Sequence, residues 1–373
     1  MLTILQGDAR EKLFLEFPSE LVQCCVTSPP YWGLRDYGTA TWEGGDYGCN
    51  HTIIRRGQSS DSKQATNLGS SRDPIYSSNC LKCGAKRIDS QIGLEETPEQ
   101  YVTKLVEVFR ELRRVLRKDG TLWLNLGDSY ATQRNDHDWL KSVAIVKKGW
   151  HGGPDLKPKD LCGIPWRVAF ALQADGWYLR SDIIWHKPNP MPESVTDRPT
   201  KAHEYLFLLS KNERYYYDAE AIREPHSEPW RGQGEHESST PHSGRLDDPN
   251  KEQAAFTVAV RKYNPDGRNK RSVWTVPTEP YAEAHFATFP SDLIKPCILA
   301  GSRPDDTILD PFGGSGTTGA VAIELGRKAI LIELNPAYIP LIKKRCAITP
   351  GFQFMNPSED VKPPETPSFH EIL

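Results

Sequence analysis

Four consecutive residues, Ser28-Pro29-Pro30-Tyr31, combine hydrogen-bond acceptors with a flat aromatic ring. They follow the apolar segment 21–27, which predicts a buried strand. Two successive prolines must end such a strand and stiffen the loop behind it. The Ser28 hydroxyl and the Pro29 carbonyl can each accept one hydrogen bond from a planar amino group. The Tyr31 ring can stack against the aromatic ring that carries this amino group. This combination favours chemistry on an amino nitrogen whose lone pair must be drawn out of conjugation and aimed at an electrophile.

A second candidate site is the glycine-rich segment 310–318, which stands between an apolar strand pattern and a helix pattern. Glycines permit positive φ angles and let the backbone approach a ligand closely. Glu333, at the end of the next predicted strand, can accept hydrogen bonds from two ribose hydroxyls. The glycine spacing departs from the G-x-G-x-x-G register of dinucleotide sites, and no Walker lysine follows. A tight structural turn without a ligand is the alternative.

The cysteines predict a third site. Cys49 and His51 form one close pair, and Cys80 and Cys83 form another, with a polar segment between them that has few apolar residues. These are ligand types that zinc prefers, and a metal cross-link explains how such a segment can be ordered. The prediction is a structural zinc ion, and free thiols beside a chance histidine are the alternative. Cys24 and Cys25 fall within the segment 21–27 and are expected in the core.

The elements that position these sites alternate between helix and strand. A start signal at Thr97-Pro98-Glu99 precedes apolar residues at helical spacing from Tyr101 to Leu116, and a turn and a strand follow. Further helices are predicted at 165–174, at 292–300 and after the glycine-rich segment to about 325, with strands at 2–5, 121–126, 178–185, 204–209, 307–309 and 329–332. This order predicts an α/β fold with a doubly wound sheet, in which 204–209 is an antiparallel strand.

Composition and the remaining segments limit the other possibilities. The chain has 373 residues and a formal net charge of -3, and its hydrophobic content of 38% is ordinary for a globular protein. It contains no apolar run long enough to span a bilayer and no signal-peptide pattern at its start, so a cytoplasmic protein without a membrane partner is expected. Residues 38–92 and 211–272 are predicted as polar insertions into one catalytic domain, 1–346, and 347–373 as a tail.

The two motifs together resemble those of amino-directed DNA methyltransferases. The segment Val26 to Tyr31 is similar to the catalytic motif in the serine form typical of N4-cytosine enzymes, and Asp310 to Thr317 is similar to the cofactor motif. Along the chain the catalytic motif precedes the cofactor motif, which is the motif order of the permuted β-group of this family. The resemblance implies a Rossmann-like, S-adenosylmethionine-dependent enzyme, prokaryotic or phage-encoded. Its expected activity is methylation of the N4 amino group of cytosine in double-stranded DNA, by base flipping and direct in-line transfer.

The resemblance also implies roles for individual residues. Asp8, in the pair Gly7-Asp8, matches an acidic motif beside the cofactor's adenine, and the segment 285–293 matches a helix motif over its methionine end. The implied cofactor residues are Asp8, Phe286, Phe289, Pro290, Asp310, Pro311, Phe312, Gly314, Gly316, Thr317 and Glu333. The implied base pocket comprises Trp185, Lys187 and Asn189.

DNA contacts are expected from the second insertion. A basic, aromatic-containing loop there comprises Arg261, Lys262, Arg268, Lys270 and Arg271. Such a loop can contact phosphates and base edges, and a solvated charged loop is the alternative. The insertion 211–272 is therefore the candidate recognition region.

Several alternatives stay open at this point. The first is methylation of adenine at N6, because the choice of cytosine depends largely on Ser28. Others are a protein or RNA methyltransferase, since glutamine-directed enzymes share a Pro-Pro-Tyr sequence, and a DNA-binding zinc module without activity. Methylation at cytosine C5 is disfavoured because no Pro-Cys nucleophile motif is present. A restriction endonuclease partner is a further expectation, and the sequence does not give the oligomeric state.

Overall fold

The structure is a computed structural model. It describes residues 1–33, 37–51, 53–54, 75–76, 79–80, 82–131, 156–226, 267–279 and 289–347. None of the helices in these ranges is long and apolar enough to cross a bilayer.

The strands and helices of the described ranges alternate as the sequence predicts. The strands are β1 (Leu2–Gln6), β2 (Val22–Thr27), β3 (Thr41–Glu43), β4 (Ile53–Ile54), β5 (Ile75–Tyr76), β6 (Lys86–Ile88), β7 (Leu116–Leu126), β8 (Tyr178–His186), β9 (His203–Ser210), β10 (Val273–Thr275), β11 (Thr307–Asp310) and β12 (Lys328–Glu333). The helices are α1 (Ala9–Glu16), α2 (Pro98–Val115), α3 (Ile164–Ala174), α4 (Ser291–Gly301), α5 (Thr317–Glu324) and α6 (Ile339–Ala347).

An eight-stranded sheet forms the centre of the fold, in the order β1-β12-β11-β2-β7-β9-β8-β10. Within it β9 alone runs against the other strands, pairing antiparallel with both β7 and β8. The predicted antiparallel strand at 204–209 is therefore confirmed. The long connections between parallel neighbours carry the helices, as parallel pairing requires.

Helices cover both faces of this sheet. The core on one face contains residues of α1, α2 and α3, and the core on the other contains residues of α4, α5 and α6. β2 lies between the two layers and is buried along its whole length. Its side chains alternate, so Cys25 packs into the first core and Cys24 into the second. The prediction of a doubly wound α/β sheet with core cysteines in β2 is confirmed.

α2 illustrates how local signals and burial agree. The Thr97 side chain accepts a hydrogen bond from Gln100 N, and Pro98 occupies the first turn, where a missing N–H costs nothing. Seven of its residues are buried at helical spacing, among them Leu105. The helix ends at Val115 and Leu116 already begins β7, so the strand starts earlier than the turn at 119–120 predicts.

Parts of the two predicted insertions pack against the core. β3 pairs antiparallel with β6, and β4 with β5, outside the main sheet. Ile92, at the end of the first insertion, nevertheless belongs to the core beside α2. At the start of the second insertion Ile222 is buried in the other core, and the Tyr217 ring stacks on Trp123 with 6.4 Å between ring centroids. A polar sequence therefore locates the bounds of the two insertions only approximately.

The burial of α2 gives a stability prediction. Leu105→Ala removes a fully buried side chain from the core and should lower the free energy of unfolding by about 3 kcal/mol. Thr103→Ala, on the exposed side of the same helix, should change it by less than about 0.5 kcal/mol. Chemical denaturation measures both. Equal effects of the two substitutions would contradict the assignment of the buried face.

Candidate functional site

The candidate site lies where five neighbouring parallel strands end at one edge of the sheet. In sheet order, β1, β12, β11, β2 and β7 lead into Asp8, Glu333, Asp310, Ser28 and Gly127. Parallel pairing requires this convergence, because the carboxyl ends of parallel strands share an edge. In open α/β sheets the crevice outside these ends is where ligands bind.

A cleft of about 1200 Å³, counted with its open mouth, occupies this edge. The sequence-predicted residues on its wall are Asp8, Ser28, Pro29, Pro30, Tyr31, Phe289, Asp310, Pro311, Phe312, Gly314, Thr317 and Glu333. The catalytic and cofactor motifs, far apart in sequence, thus face one cavity. Its described lining includes three carboxylates and no lysine or arginine, which suits a cationic ligand better than a phosphate.

Asp310 joins the two motifs. Its carboxylate accepts hydrogen bonds from Thr27 Oγ1 at 2.6 Å, Thr318 Oγ1 at 2.8 Å and Phe312 N at 3.0 Å. Thr27 precedes Ser28, and the other two donors belong to the glycine-rich segment. Burial raises the pKa of Asp310 to about 6, against the three donors, which favour its charged form. The Asp310 carboxylate therefore fixes the loop 28–31, called the catalytic loop below, relative to the glycine-rich segment 310–318.

Glu333 is held by backbone donors on both of its oxygens. Gly314 N donates to Oε2 at 2.7 Å, and Asn335 N donates to Oε1 at 2.8 Å. A carboxylate has about four acceptor positions, so a ligand hydroxyl can still donate to Glu333. Burial raises the pKa of Glu333 to about 7. The φ of +52° at Gly314 is one that glycine tolerates best, and it aims this N–H at the carboxylate.

The catalytic loop leaves one proline carbonyl available to a ligand. The Tyr101 hydroxyl donates to the Pro30 carbonyl at 2.9 Å, which anchors the loop on α2. Within the described ranges the Pro29 carbonyl accepts no hydrogen bond. Ser28 is half-buried and lies beside it on the cleft wall. The loop can therefore offer two neighbouring acceptors to one amino group.

Tyr31 is positioned by a buried polar network. Its hydroxyl lies 2.6 Å from Glu204 Oε2 and 3.0 Å from Asn125 Oδ1. Burial, and then the charge of Glu204, raise the pKa of Tyr31 well above its ordinary value, so the phenol stays neutral and donates to the carboxylate. Lys187 pairs with the other oxygen of Glu204 and lies over the Trp185 ring, 4.2 Å from its centroid.

The structure places some sequence-predicted residues away from the cleft wall. Pro290 precedes α4, and Gly316 is the N-cap residue of α5, with a φ of +84°. Trp185 is buried and donates from Nε1 to Val276 O at 2.8 Å, whereas Asn189 accepts from Thr278 N at 3.0 Å. Lys187 reaches the site through Glu204 alone. Phe286, Arg261 and Lys262 lie outside the described residues.

The described part of the predicted DNA-binding loop surrounds one carboxylate. Arg268, Lys270 and Arg271 approach Glu224 to 3.4, 4.0 and 3.1 Å. Lys270 also lies over the Trp274 ring, 4.9 Å from its centroid. One glutamate compensates only part of three positive charges, so the group keeps a local basic character. Its contact with DNA stays a prediction.

The four predicted metal ligands converge. Cys49, His51, Cys80 and Cys83 place their ligand atoms within 4.8 Å of one another. Cys49 Sγ lies 3.7 Å from Cys80 Sγ, and Cys83 Sγ lies 3.6 Å from His51 Nδ1. A tetrahedral zinc ion with bonds of about 2.3 Å to sulfur and 2.0–2.1 Å to nitrogen gives edges of about 3.8 and 3.6 Å. The residues present therefore fit a zinc ion.

Sequence reasoning missed several residues of the site. Glu204 and Asn125 reach Tyr31 from β9 and β7, strands that the sequence marks only as apolar. Gly127 is a second case, because a Cβ there would lie 2.5 Å from Tyr31 Cε2. The cleft wall also includes Tyr37, Thr39, Ser90, Gln91, Ile92, Asn335 and Tyr338. The pairing of residues 37–39 with 89–91 has no periodic signal that could have revealed it.

Comparison with known proteins decides the family. The sequence profile of the N6/N4 DNA methylase family matches residues 22–344, a span that contains both motifs. The chain belongs to the N6/N4 DNA methylase family. The predicted resemblance to amino-directed DNA methyltransferases is thus confirmed, and the protein is a DNA methyltransferase whose target base this match does not specify.

Relatives of this N6/N4 DNA methylase include two Type II methyltransferases. M.SmaI of Serratia marcescens is 43% identical over 347 residues, which cover 92% of this chain and 89% of the relative. M.Cfr9I of Citrobacter freundii is 42% identical over 349 residues, which cover 92% and 87%. Similarity at this level extends over nearly the whole chain rather than over the two motifs alone.

Two solved structures share the fold of this N6/N4 DNA methylase. The PvuII DNA methyltransferase, which is cytosine-N4-specific, covers 92% of this chain and 86% of its own at 17% identity and a TM-score of 0.52. A DNA modification methylase of Thermus thermophilus, TTHA0409, complexed with S-adenosyl-L-methionine, covers 94% and 96% at 23% identity and a TM-score of 0.51. These likenesses confirm the predicted methyltransferase sheet.

The contact between Gly127 and Tyr31 yields a prediction for this N6/N4 DNA methylase. Gly127→Ala should displace the Tyr31 ring, because the ring and a Cβ cannot both occupy the space. We expect kcat for DNA methylation to fall about a hundredfold, as for other displacements of about 1 Å at a reacting centre. Steady-state kinetics measure the effect, and thermal unfolding shows whether the fold is intact. Full activity in a folded variant would contradict the positioning role of Gly127.

Proposed function

We propose that this protein transfers a methyl group from S-adenosyl-L-methionine to the N4 amino group of cytosine in double-stranded DNA. The observation that carries the proposal is the placement of two amino-group acceptors, Ser28 and the Pro29 carbonyl, on the same cleft as Glu333. The family supplies the reaction class, and the geometry supports the roles that we propose for the residues. Methylation of adenine at N6 is the alternative.

The cleft chemistry fits the proposed cofactor. S-adenosyl-L-methionine supplies a methyl group on a positively charged sulfur, from which a nitrogen nucleophile can take it directly. Glu333 can accept hydrogen bonds from the ribose hydroxyls, and Asp8 and Phe289 also border the cleft. The acidic lining favours a cation, and the glycine-rich turn carries Gly314 against Glu333.

The catalytic loop would prepare the amino nitrogen for attack. Ser28 Oγ and the Pro29 carbonyl each accept one amino hydrogen, which draws the lone pair out of conjugation and directs it across the cleft. The Tyr31 ring stacks on the base after it leaves the duplex, because the amino nitrogen is out of reach inside a stacked helix. Pro30 is committed to Tyr101 and keeps this geometry rigid.

The choice of cytosine has narrower support. Ser28 matches the serine form of the catalytic motif that is typical of N4-cytosine enzymes. The PvuII enzyme, which has the same fold, is cytosine-N4-specific, but at 17% identity it informs only the fold. A neutral serine accepts hydrogen bonds from either base, so adenine N6 is the second candidate.

The proposal also assigns the remaining partners. The basic residues Arg268, Lys270 and Arg271 contact DNA phosphates together with Arg261 and Lys262. A restriction endonuclease of the same specificity is the expected partner, since the relatives are Type II methyltransferases. A structural zinc ion occupies Cys49, His51, Cys80 and Cys83. The metal takes no part in methyl transfer, because these four residues lie outside the cleft lining.

Nucleoside analysis tests the proposed reaction. Purified protein is incubated with S-adenosyl-L-methionine and unmethylated bacterial DNA, which is then digested and examined by mass spectrometry. We expect N4-methylcytosine, and none when RNA or protein replaces DNA. N6-methyladenine would select the alternative base. Methylation of RNA or protein alone would overturn the proposal.

The raised pKa of Glu333 predicts a pH dependence of cofactor binding. Ribose hydroxyls donate to the ionised carboxylate, so binding lowers the pKa of Glu333 from about 7 and releases a proton. Affinity for S-adenosylhomocysteine should therefore rise with pH up to about 7 and level off above it. Calorimetry in buffers of different ionisation enthalpy measures the proton release.

A matched pair of variants assigns the effect. Glu333→Gln should abolish the proton release and weaken binding, whereas Glu324→Gln, an exposed glutamate paired with Lys295, should preserve both. Proton release that persists in Glu333→Gln would show that another group is responsible.

A further inference from the structure

The four candidate zinc ligands lie at one end of the two-stranded ribbon formed by β3 and β6. The other end of this ribbon forms a wall of the cleft. β3 and β6 pair antiparallel over three residues each. The ligands Cys49 and His51 follow β3, and Cys80 and Cys83 precede β6. On the opposite side of the ribbon, Tyr37, Thr39, Ser90, Gln91 and Ile92 line the cleft.

At the metal end, the ligands pack directly on the ribbon. The His51 ring stacks on Trp42 of β3, with centroids 4.5 Å apart and planes 16° apart. Cys80 N donates to Ala85 O at 2.7 Å, and Gly84 N donates to Cys80 O at 2.8 Å, which closes the turn that carries both cysteines. The ligands therefore contact the ribbon on both strands, β3 through Trp42 and the residue before β6 through Ala85.

At the cleft end, Asp89 ties the ribbon to the wall. Thr39 Oγ1 and Gln91 N both donate to Asp89 Oδ1, at 3.2 and 3.0 Å. Gln91 Oε1 in turn accepts from Tyr37 N at 2.7 Å. These bonds join the two chain segments that leave the ribbon toward the cleft.

The wall then connects to the proposed ribose site. Asn335 Nδ2 donates to Tyr37 O at 3.2 Å, and Asn335 N donates to Glu333 Oε1 at 2.8 Å. The Tyr37 and Tyr338 rings also meet edge to face, with 6.4 Å between centroids. Continuous contacts therefore lead from the ligand cluster to Glu333.

We propose that a zinc ion on Cys49, His51, Cys80 and Cys83 braces this wall, so that cofactor affinity depends on a metal that never touches the cofactor. The inference rests on the proposed function for both ligands. A two-stranded ribbon is marginally stable by itself, and this one pairs over only three residues. A cross-link between the segments beyond it restricts the ends that the ribbon must bring together.

The test uses the full chain and two readouts. Elemental analysis gives the zinc content, and calorimetry gives the Kd for S-adenosylhomocysteine. The wild type should carry one zinc per chain. Cys83→Ser should lose the zinc and raise Kd about tenfold, the ratio that corresponds to 1.4 kcal/mol. Lys82→Ala, in the same turn but outside the four ligands, should retain zinc and affinity.

A third variant separates bracing from folding. Asp89→Ala should keep the zinc and still weaken S-adenosylhomocysteine binding, because it cuts the contact between ribbon and wall. If Cys83→Ser fails to fold, removal of the zinc from the folded wild type with a chelator should raise the same Kd. Unchanged affinity in a folded, zinc-free Cys83→Ser, or in wild type stripped of its zinc, would overturn the inference, as would a folded wild type that never carries zinc.

An error in the cofactor assignment can be distinguished from an error in the zinc inference. A zinc-loaded wild type that binds no S-adenosylhomocysteine would refute the cofactor assignment. Hydrogen exchange of residues 37–43 and 86–92 would then still test the brace. We expect faster exchange in Cys83→Ser than in Lys82→Ala, and equal rates would contradict bracing of the wall.

Discussion

The buried Asp310 carboxylate is the constraint on which the site depends. It accepts from Thr27 on one side and from Thr318 and Phe312 on the other, and so joins the end of β2 to the turn after β11. A buried carboxylate is costly unless it is fully hydrogen-bonded, and three donors offset that cost here. Because the donors come from both motifs, the charge is satisfied only when the two motifs are in register.

The parallel sheet makes this arrangement possible. β11 and β2 are direct neighbours, so Asp310 and Ser28 leave the sheet at the same edge although they lie 282 positions apart in sequence. Glu333 joins them from β12 on the other side of β11. The order of the two motifs along the chain therefore does not affect the site. A permuted order brings both motifs to the same edge of the sheet.

A second polar network positions the aromatic ring. Tyr31, Glu204 and Lys187 form a chain from the catalytic loop to the end of β8, and the Tyr101 hydroxyl fixes the carbonyl of Pro30 beside it. Networks of this kind restrict a loop more than any single contact does. The loop can then present Ser28 and the Pro29 carbonyl in one fixed geometry.

Much of this was predictable, for identifiable reasons. Local signals such as Thr97-Pro98 and the apolar segment before Ser28 determine which segments are helices and which are strands. The two short motifs indicate the edge of the sheet at which the cleft lies. The convergence of Cys49, His51, Cys80 and Cys83 was predictable because the spacing of these residues is distinctive. Glu204 and Gly127 were not, because their roles arise only when β9 and β7 meet the catalytic loop in space. The contacts of Trp185 and Asn189 depend equally on long-range packing, and neither residue is among those that line the cleft.

A crystal structure of the protein with S-adenosylhomocysteine and a duplex that contains its target site tests the central claim most directly. The account predicts a base flipped out of the duplex, its amino nitrogen within about 3.2 Å of both Ser28 Oγ and the Pro29 carbonyl, and the Tyr31 ring stacked on it. An amino group held by other residues, with Ser28 and Pro29 facing away, would contradict it.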